Sequence, residues 1–284
     1  MDRRSFVQNV GSAVAWSAVS LAPSLDPSSA NTSVGKILAV AAHPGDGLFT
    51  MGAALAQQIQ RGGAGALLSL SLGEKGAPKN IPVQQYGEMQ RKATQKACHL
   101  IGADAFFLTY PDAEIPFNEE SSLQVCDVIR EQKPSAIVTH WNGSWHKDHQ
   151  NCHLIVRDAV FYAGLQTVER KYPPHVVSAI FYADNWEDAA NFVPDTYLNI
   201  EGVYEKWLQA CDLYPMWRGQ TGLSLQRLLH QPRRDARLPR WLQVRGRPDV
   251  GSQSAHRAPA ISLKMPSAVS QPRCIWIRAP IRTW

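Results

Sequence analysis

Ile37-Leu38-Ala39-Val40-Ala41-Ala42-His43-Pro44-Gly45-Asp46 decides the fold. Its apolar part, Ile37 to Ala42, has no polar alternation, as expected of a strand buried on both faces. Such strands belong to parallel sheets with helices on either side. The run stops on an imidazole, a proline, a glycine and a carboxylate, so polar chemistry falls where the chain leaves the sheet. The arrangement recurs downstream, where Ser135 to Thr139 is apolar and His146-Lys147-Asp148-His149 follows it.

Between and beyond these clusters, strand-like and helix-like segments alternate. Leu48, Met51, Leu55 and Ile59 recur at helical spacing until Gly62-Gly63. Ala66 to Leu72 reads as a strand. Tyr86, Met89, Ala93, Ala97 and Leu100 mark a helix ending at Gly102, and Ala105 to Leu108 is a short strand. Leu123 to Ile129 is helical, with Ser121 or Ser122 as the expected cap. Ala136 to Thr139 is a fourth strand, Asp148 to Gly164 a helix and Val176 to Tyr182 a fifth strand. Repeated β-α-β units predict an α/β, Rossmann-like three-layer sandwich with a mostly parallel sheet. Ligands in such folds bind past the carboxyl ends of the strands. His43, Glu74, Asp112 and the loop from His140 to His149 all fall there.

Composition bounds the partners. The hydrophobic fraction of 44% and charged fraction of 19% are those of a globular chain. No apolar run reaches the roughly 20 residues of a membrane span. The net charge of +5 is uneven. From Arg218 onward there are 12 Arg and 1 Lys against 2 Asp, or +11, which leaves −6 for the preceding residues. A nucleic-acid-binding surface is therefore not expected on the folded part. The division predicted is 1–30 as leader, 31–217 as catalytic domain and 218–284 as an irregular basic tail. In the leader, Arg3-Arg4-Ser5-Phe6-Val7, the weakly apolar stretch Val10 to Ala22, and Ser28 and Ala30 before a cut predict twin-arginine export to the periplasm or outside.

The tail has two readings. It is a basic segment for an anionic polymer, or it follows a reading-frame shift near Gly219 to Leu225. Its lack of apolar periodicity favours the second. Translating the gene in its other frames beyond codon 218 tests this. Restored strand and helix patterns support the shift, and their absence from both frames refutes it. Of the five cysteines none forms a CxxC pair, so a cysteine zinc site is not expected. Cys98, Cys126 and Cys152 fall in helical patterns, as buried free thiols do.

Hydrolytic zinc commonly takes three protein ligands from His, Asp and Glu and keeps one position open. His43 and Asp46 leave one tight turn together, and His149 is the third candidate ligand. Two imidazoles and one carboxylate would leave a charge of +1 on a divalent ion. Such an ion lowers the pKa of coordinated water to about 7 and polarises an amide carbonyl. His146, one helical turn before His149, is the candidate general acid. Asp148 is a candidate to orient an imidazole or to act as a base, with Glu74 and Asp112 as further carboxylates. His140 and His153 read as structural. Trp141 and Trp145 can stack on a sugar ring or pack at the rim.

These motifs resemble those of the PIG-L/LmbE-like zinc deacetylases. The family's A-H-P-D-D-E corresponds to Ala42-His43-Pro44-Gly45-Asp46-Gly47, and its H-x-D-H to His146-Lys147-Asp148-His149. Gly73-Glu74-Lys75-Gly76 and Tyr110-Pro111-Asp112 also resemble family loops, over roughly Lys36 to Trp217. The resemblance implies zinc held by His43, Asp46 and His149, with His146 as acid. It implies as substrate a small molecule or glycoconjugate carrying an N-acetylated sugar. It departs at Gly45, where the family places its general base, and at Gly47. Loss of a general base costs about 10²–10⁴ in rate. The expectation is therefore a deacetylase of reduced activity, one with a substitute base, or a metal-retaining relative that binds carbohydrate without cutting it. No P-loop, GxGxxG or GxSxG pattern accompanies these motifs.

Overall fold

The computed structural model describes residues 34–183, 191–193 and 196–219, together with the backbone of 274–278. The proposed leader, and the tail after 219 apart from 274–278, lie outside the described residues.

Among the described residues seven strands form one sheet: β1 (Lys36–Ala41), β2 (Ala64–Ser71), β3 (Asp104–Tyr110), β4 (Ala136–His140), β5 (Ala179–Ala183), β6 (Thr196–Asn199) and β7 (Cys274–Arg278). Their order is β3-β2-β1-β4-β5-β7-β6. The first five are parallel. β7, which comes from the basic tail, runs antiparallel to β5 and β6. The helices are α1 (Pro44–Asp46), a single turn, then α2 (Gly52–Gln60), α3 (Val83–Ile101), α4 (Glu119–Gln132), α5 (Lys147–Gly164) and α6 (Tyr204–Cys211).

β1 shows why its sequence lacks polar alternation. Leu38, Val40 and Ala42 pack with Cys126 and Ile129 of α4 and Ile155 and Val156 of α5. Ala39 and Ala41 face the other way, with Leu55 of α2, Ala97 of α3 and Trp207 of α6. Both faces are covered, so alternate residues point into two separate cores. A fully buried leucine such as Leu38 or Leu68 stabilises by about 1.5–3 kcal/mol relative to exposure. This is the three-layer α/β sandwich that the alternating segments predict.

Three departures from the sequence reading have physical causes. α4 begins at Glu119, a turn earlier than the apolar spacing suggests. Its cap is Asn118: Asn118 Oδ1 accepts from Ser121 N–H at 2.9 Å and Ser121 Oγ accepts from Asn118 N–H at 3.2 Å. Glu119 and Glu120 then occupy the first turn, where their charge favours the helix dipole. Second, the helix after His43 is interrupted, because Gly47–Met51 winds as a π-helix before α2. A β-carbon on Gly47 would lie 2.5 Å from Leu67 Cδ1 and 2.9 Å from Ala41 Cβ. Only glycine lets this backbone press onto β1 and β2. Third, β5 starts at Ala179, and Val176 is exposed.

Arg130 locks the α4–α5 layer. Its guanidinium is buried and donates to the carbonyls of Tyr162 (2.9 Å), Ala163 (3.2 Å), Leu165 (2.8 Å), Val168 (2.9 Å) and Tyr172 (3.2 Å). These carbonyls close the end of α5 and the loop after it, where a cation is favoured. Among the described residues, no carboxylate pairs with it.

Candidate metal centre

The strand order turns at β1. β2 and β3 lie to one side of it and β4 and β5 to the other, so a crevice opens between the ends of β1 and β4. His43 leaves the end of β1 in extended conformation and starts the turn of α1, with Pro44 at its first position. Asp46 ends that turn. From the other wall, α5 carries Asp148 and His149 in its first turn, and His146 caps it.

His43, Asp46 and His149 meet. His43 Nδ1 lies 2.9 Å from Asp46 Oδ2, and His149 Nε2 lies 3.0 Å from the same oxygen. The two imidazole centroids are 5.4 Å apart. Atoms bound at 2.0–2.2 Å to one ion stand about 3.0–3.5 Å from each other, so the trio has the spacing of a ligand set. The second grouping with that potential among the described residues is His43, His146 and Asp148. Its His146 Nδ1 already accepts from Asp148 N–H at 3.2 Å. In neutral His146 this leaves Nε2 carrying the proton, which suits a donor rather than a ligand.

The outer groups fit a metal on the first trio. His43 Nε2 lies 3.3 Å from Asp148 Oδ2 and 3.0 Å from Asp112 Oδ1. Carboxylates there hold the proton on Nε2 and free Nδ1 for a ligand bond. A metal on His149 Nε2 requires its proton on Nδ1, and Ser144 Oγ stands 3.3 Å away to accept it. The same Oγ accepts from His146 N–H at 3.0 Å. Asp148 is fully buried, and its Oδ1 has no hydrogen-bond partner. Three buried aspartates around the imidazoles form an anionic pocket, as a divalent cation requires.

The electrostatics agree. Burial opposes charge on His43, but contacts with Asp112, Asp148 and Asp46 hold it well above the usual histidine range. Burial opposes charge on Asp46, yet His149 and His43 hold its carboxyl well below the usual range. Burial pushes His146 down, and the neighbouring His43 and His149 add to this.

The other sequence candidates are placed as follows. Glu74 Oε1 accepts from Asp112 N–H at 2.8 Å, so it ties two loops together. His140 Nε2 accepts from Ala42 N–H at 3.0 Å while its ring stacks on His149 at 4.2 Å. His153 Nδ1 donates to the His140 carbonyl at 3.0 Å. Both histidines serve backbone and ring packing. Trp141 packs edge-on to Tyr182 and Phe192. Trp145 is 71% exposed beside His146, with ring centroids 5.7 Å apart. Ser144 is not among the sequence candidates. Its one signal in the sequence is its place two residues before His146.

Residues 38–160 match the family model described as PIG-L: GlcNAc-PI de-N-acetylase. The chain is 24% identical over 213 residues to the 4-oxalmesaconate hydratase of Pseudomonas putida, covering 69% of this chain and 81% of that protein. It is 23% identical over 190 residues to the diacetylchitobiose deacetylase of Thermococcus kodakarensis, covering 62% and 68%. Among solved structures, a conserved protein of Thermus thermophilus superposes with a TM-score of 0.56 at 26% identity, over 63% of this chain and 78% of that one.

Proposed function

Because the chain is PIG-L/LmbE-like in motif order and fold, we propose that it is a zinc-dependent amide hydrolase that deacetylates an N-acetylated sugar or glycoconjugate. One observation carries this reading: two imidazole nitrogens, one from the end of β1 and one from the first turn of α5, converge on a single oxygen of Asp46. Zinc held by His43 Nδ1, Asp46 Oδ2 and His149 Nε2 would polarise the substrate carbonyl and make water more acidic. The chain's own groups do the rest. As general acid His146 would act as the imidazolium, give one proton to the departing amine and return to the neutral ring whose Nδ1 accepts from Asp148 N–H. Asp148 orients His43. Trp145, exposed at the rim, offers a face for a sugar ring. The Arg3-Arg4 leader would deliver the enzyme, already folded, outside the cytoplasm.

Gly45 supports a second reading. It puts no carboxylate where the deacetylases hold their base, and the hydratase of Pseudomonas putida is a relative over 81% of its length. A metal-dependent hydratase acting on an unsaturated acid is the alternative, and a carbohydrate-binding protein that retains its metal is a third. Acetate release from N-acetylglucosamine and diacetylchitobiose, measured beside hydration of 4-oxalmesaconate, separates them. Acetate release by the parent chain supports the deacetylase. Hydration alone overturns it in favour of the hydratase. Sugar binding without either reaction leaves the binding protein.

A further inference from the structure

Asp112 stands at the junction of three strand ends. It follows β3 and is buried, with 7% of its surface exposed. Its Oδ1 lies 3.0 Å from Nε2 of His43, which follows β1. Its Oδ2 accepts from Lys75 N–H at 2.9 Å, and its own N–H donates to Glu74 Oε1 at 2.8 Å, both in the loop after β2. That loop is itself shaped for the contact. Gly73 adopts φ +65°, a conformation side chains rarely take, and donates its N–H to Ser71 Oγ at 3.1 Å. A β-carbon on Gly73 would lie 3.4 Å from His43 Cβ, so the loop packs directly on the imidazole.

Resting on the metal centre proposed above, we infer that Asp112 is a positioning residue for the ligand His43, and that the β2 and β3 loops set metal affinity through it. Asp148 already supplies one carboxylate at the same ring nitrogen, from α5. Asp112 supplies a second from the opposite wall, so His43 Nε2 is gripped from both sides of the crevice. Asp112 is thereby committed to the ring face away from Asp46. That arrangement holds the proton on Nε2 and the lone pair on Nδ1, and it fixes the ring plane. Asp112 thus acts on the metal through the histidine.

The test is zinc affinity of the full chain, stripped and reloaded in competition with a chromophoric chelator. Asp112→Asn is compared with the parent, with Glu74→Gln, and with the surface control Glu169→Gln. Loss of an outer partner typically weakens metal binding 10- to 100-fold. The expected result is one zinc per chain throughout, about 10- to 100-fold weaker in Asp112→Asn, and within about threefold of the parent in the other two. Cobalt loaded in place of zinc gives a second readout: its visible absorption bands shift in Asp112→Asn, because the orientation of His43 changes. Zinc affinity and cobalt bands equal to the parent in Asp112→Asn overturn the positioning role while leaving the metal centre intact. So does a loss in Glu74→Gln as large as in Asp112→Asn, which would mean that loop integrity alone matters. A parent that takes up no metal overturns both the role and the centre.

Discussion

The ring edge of Phe49 lies 3.1 Å from where a side chain on Gly45 would begin. Phe49 is itself held by Tyr214 and Trp217, with centroids 5.3 and 5.0 Å away. The position that matches the base in the PIG-L/LmbE-like motif resembled by the sequence is therefore closely approached by an aromatic cluster. A few tenths of an ångström of ring movement admits a β-carbon there. Gly45→Asp is expected to fold and to raise acetate release about 10²–10⁴-fold over the parent. A folded Gly45→Asp variant no faster than the parent would mean that another group already serves as base. Gly47→Glu is expected to fail, because its first carbon meets Leu67 and Ala41 in the core. Soluble yield and circular dichroism check this.

Trp145 is fixed at its base, since its neighbour Ser144 is buried and receives the His146 amide proton. Stacking of a ring on such a face is worth about 0.5–1.5 kcal/mol. Trp145→Ala is expected to raise KM roughly two- to tenfold with kcat unchanged. Steady-state kinetics on diacetylchitobiose read this directly, and an unchanged KM rules the platform out.

Replacing Arg130 with Met would remove five hydrogen bonds at the end of α5; the Tyr162, Ala163 and Leu165 carbonyls keep a backbone donor, and those of Val168 and Tyr172 keep none among the described residues. Each buried unsatisfied group costs about 1–3 kcal/mol. Arg130→Met is expected to lose more than about 3 kcal/mol, a fall in Tm of about 6–12 °C. A melting curve checks it, and a shift under about 2 °C would contradict the keystone role.

Cys98, Cys126, Cys152 and Cys211 are buried and free. Burial pushes the Cys98 and Cys152 thiols from an ordinary 9.0 up to about 12. At pH 8 the folded chain is expected to label at these positions only as fast as it opens, and rapidly once unfolded. The sign of the pH effect follows. Thiols kept neutral by folding add stability that is complete below about pH 9 and is lost as the pH rises toward 12. Labelling followed by peptide mapping tests the first point, and melting curves above pH 9 the second.

Much of this is legible in the sequence because burial leaves a pattern. β1 reads as a strand covered on both faces because its odd and even residues serve two cores. His43, Asp46 and His149 read as a ligand set because metal chemistry restricts residue types. What is not legible depends on contacts that no apolar period marks. The α4 cap at Asn118 lies outside the apolar spacing that marks a helix. α6 and β6 follow Tyr182 in a stretch where aromatic and polar residues mix without a period. Ser144 touches its near neighbours His146 and His149 with no motif to mark it, and the double carboxylate grip on His43 joins residues from separate loops.

The proposed centre holds one divalent ion among His43, Asp46 and His149. Metal content of the purified full chain, measured by plasma mass spectrometry beside His43→Ala and Asp46→Ala, addresses it most directly. The expected result is about one zinc per parent chain and a loss to near zero in both folded variants. Equal zinc in parent and variants, or no zinc in a folded parent, would contradict it.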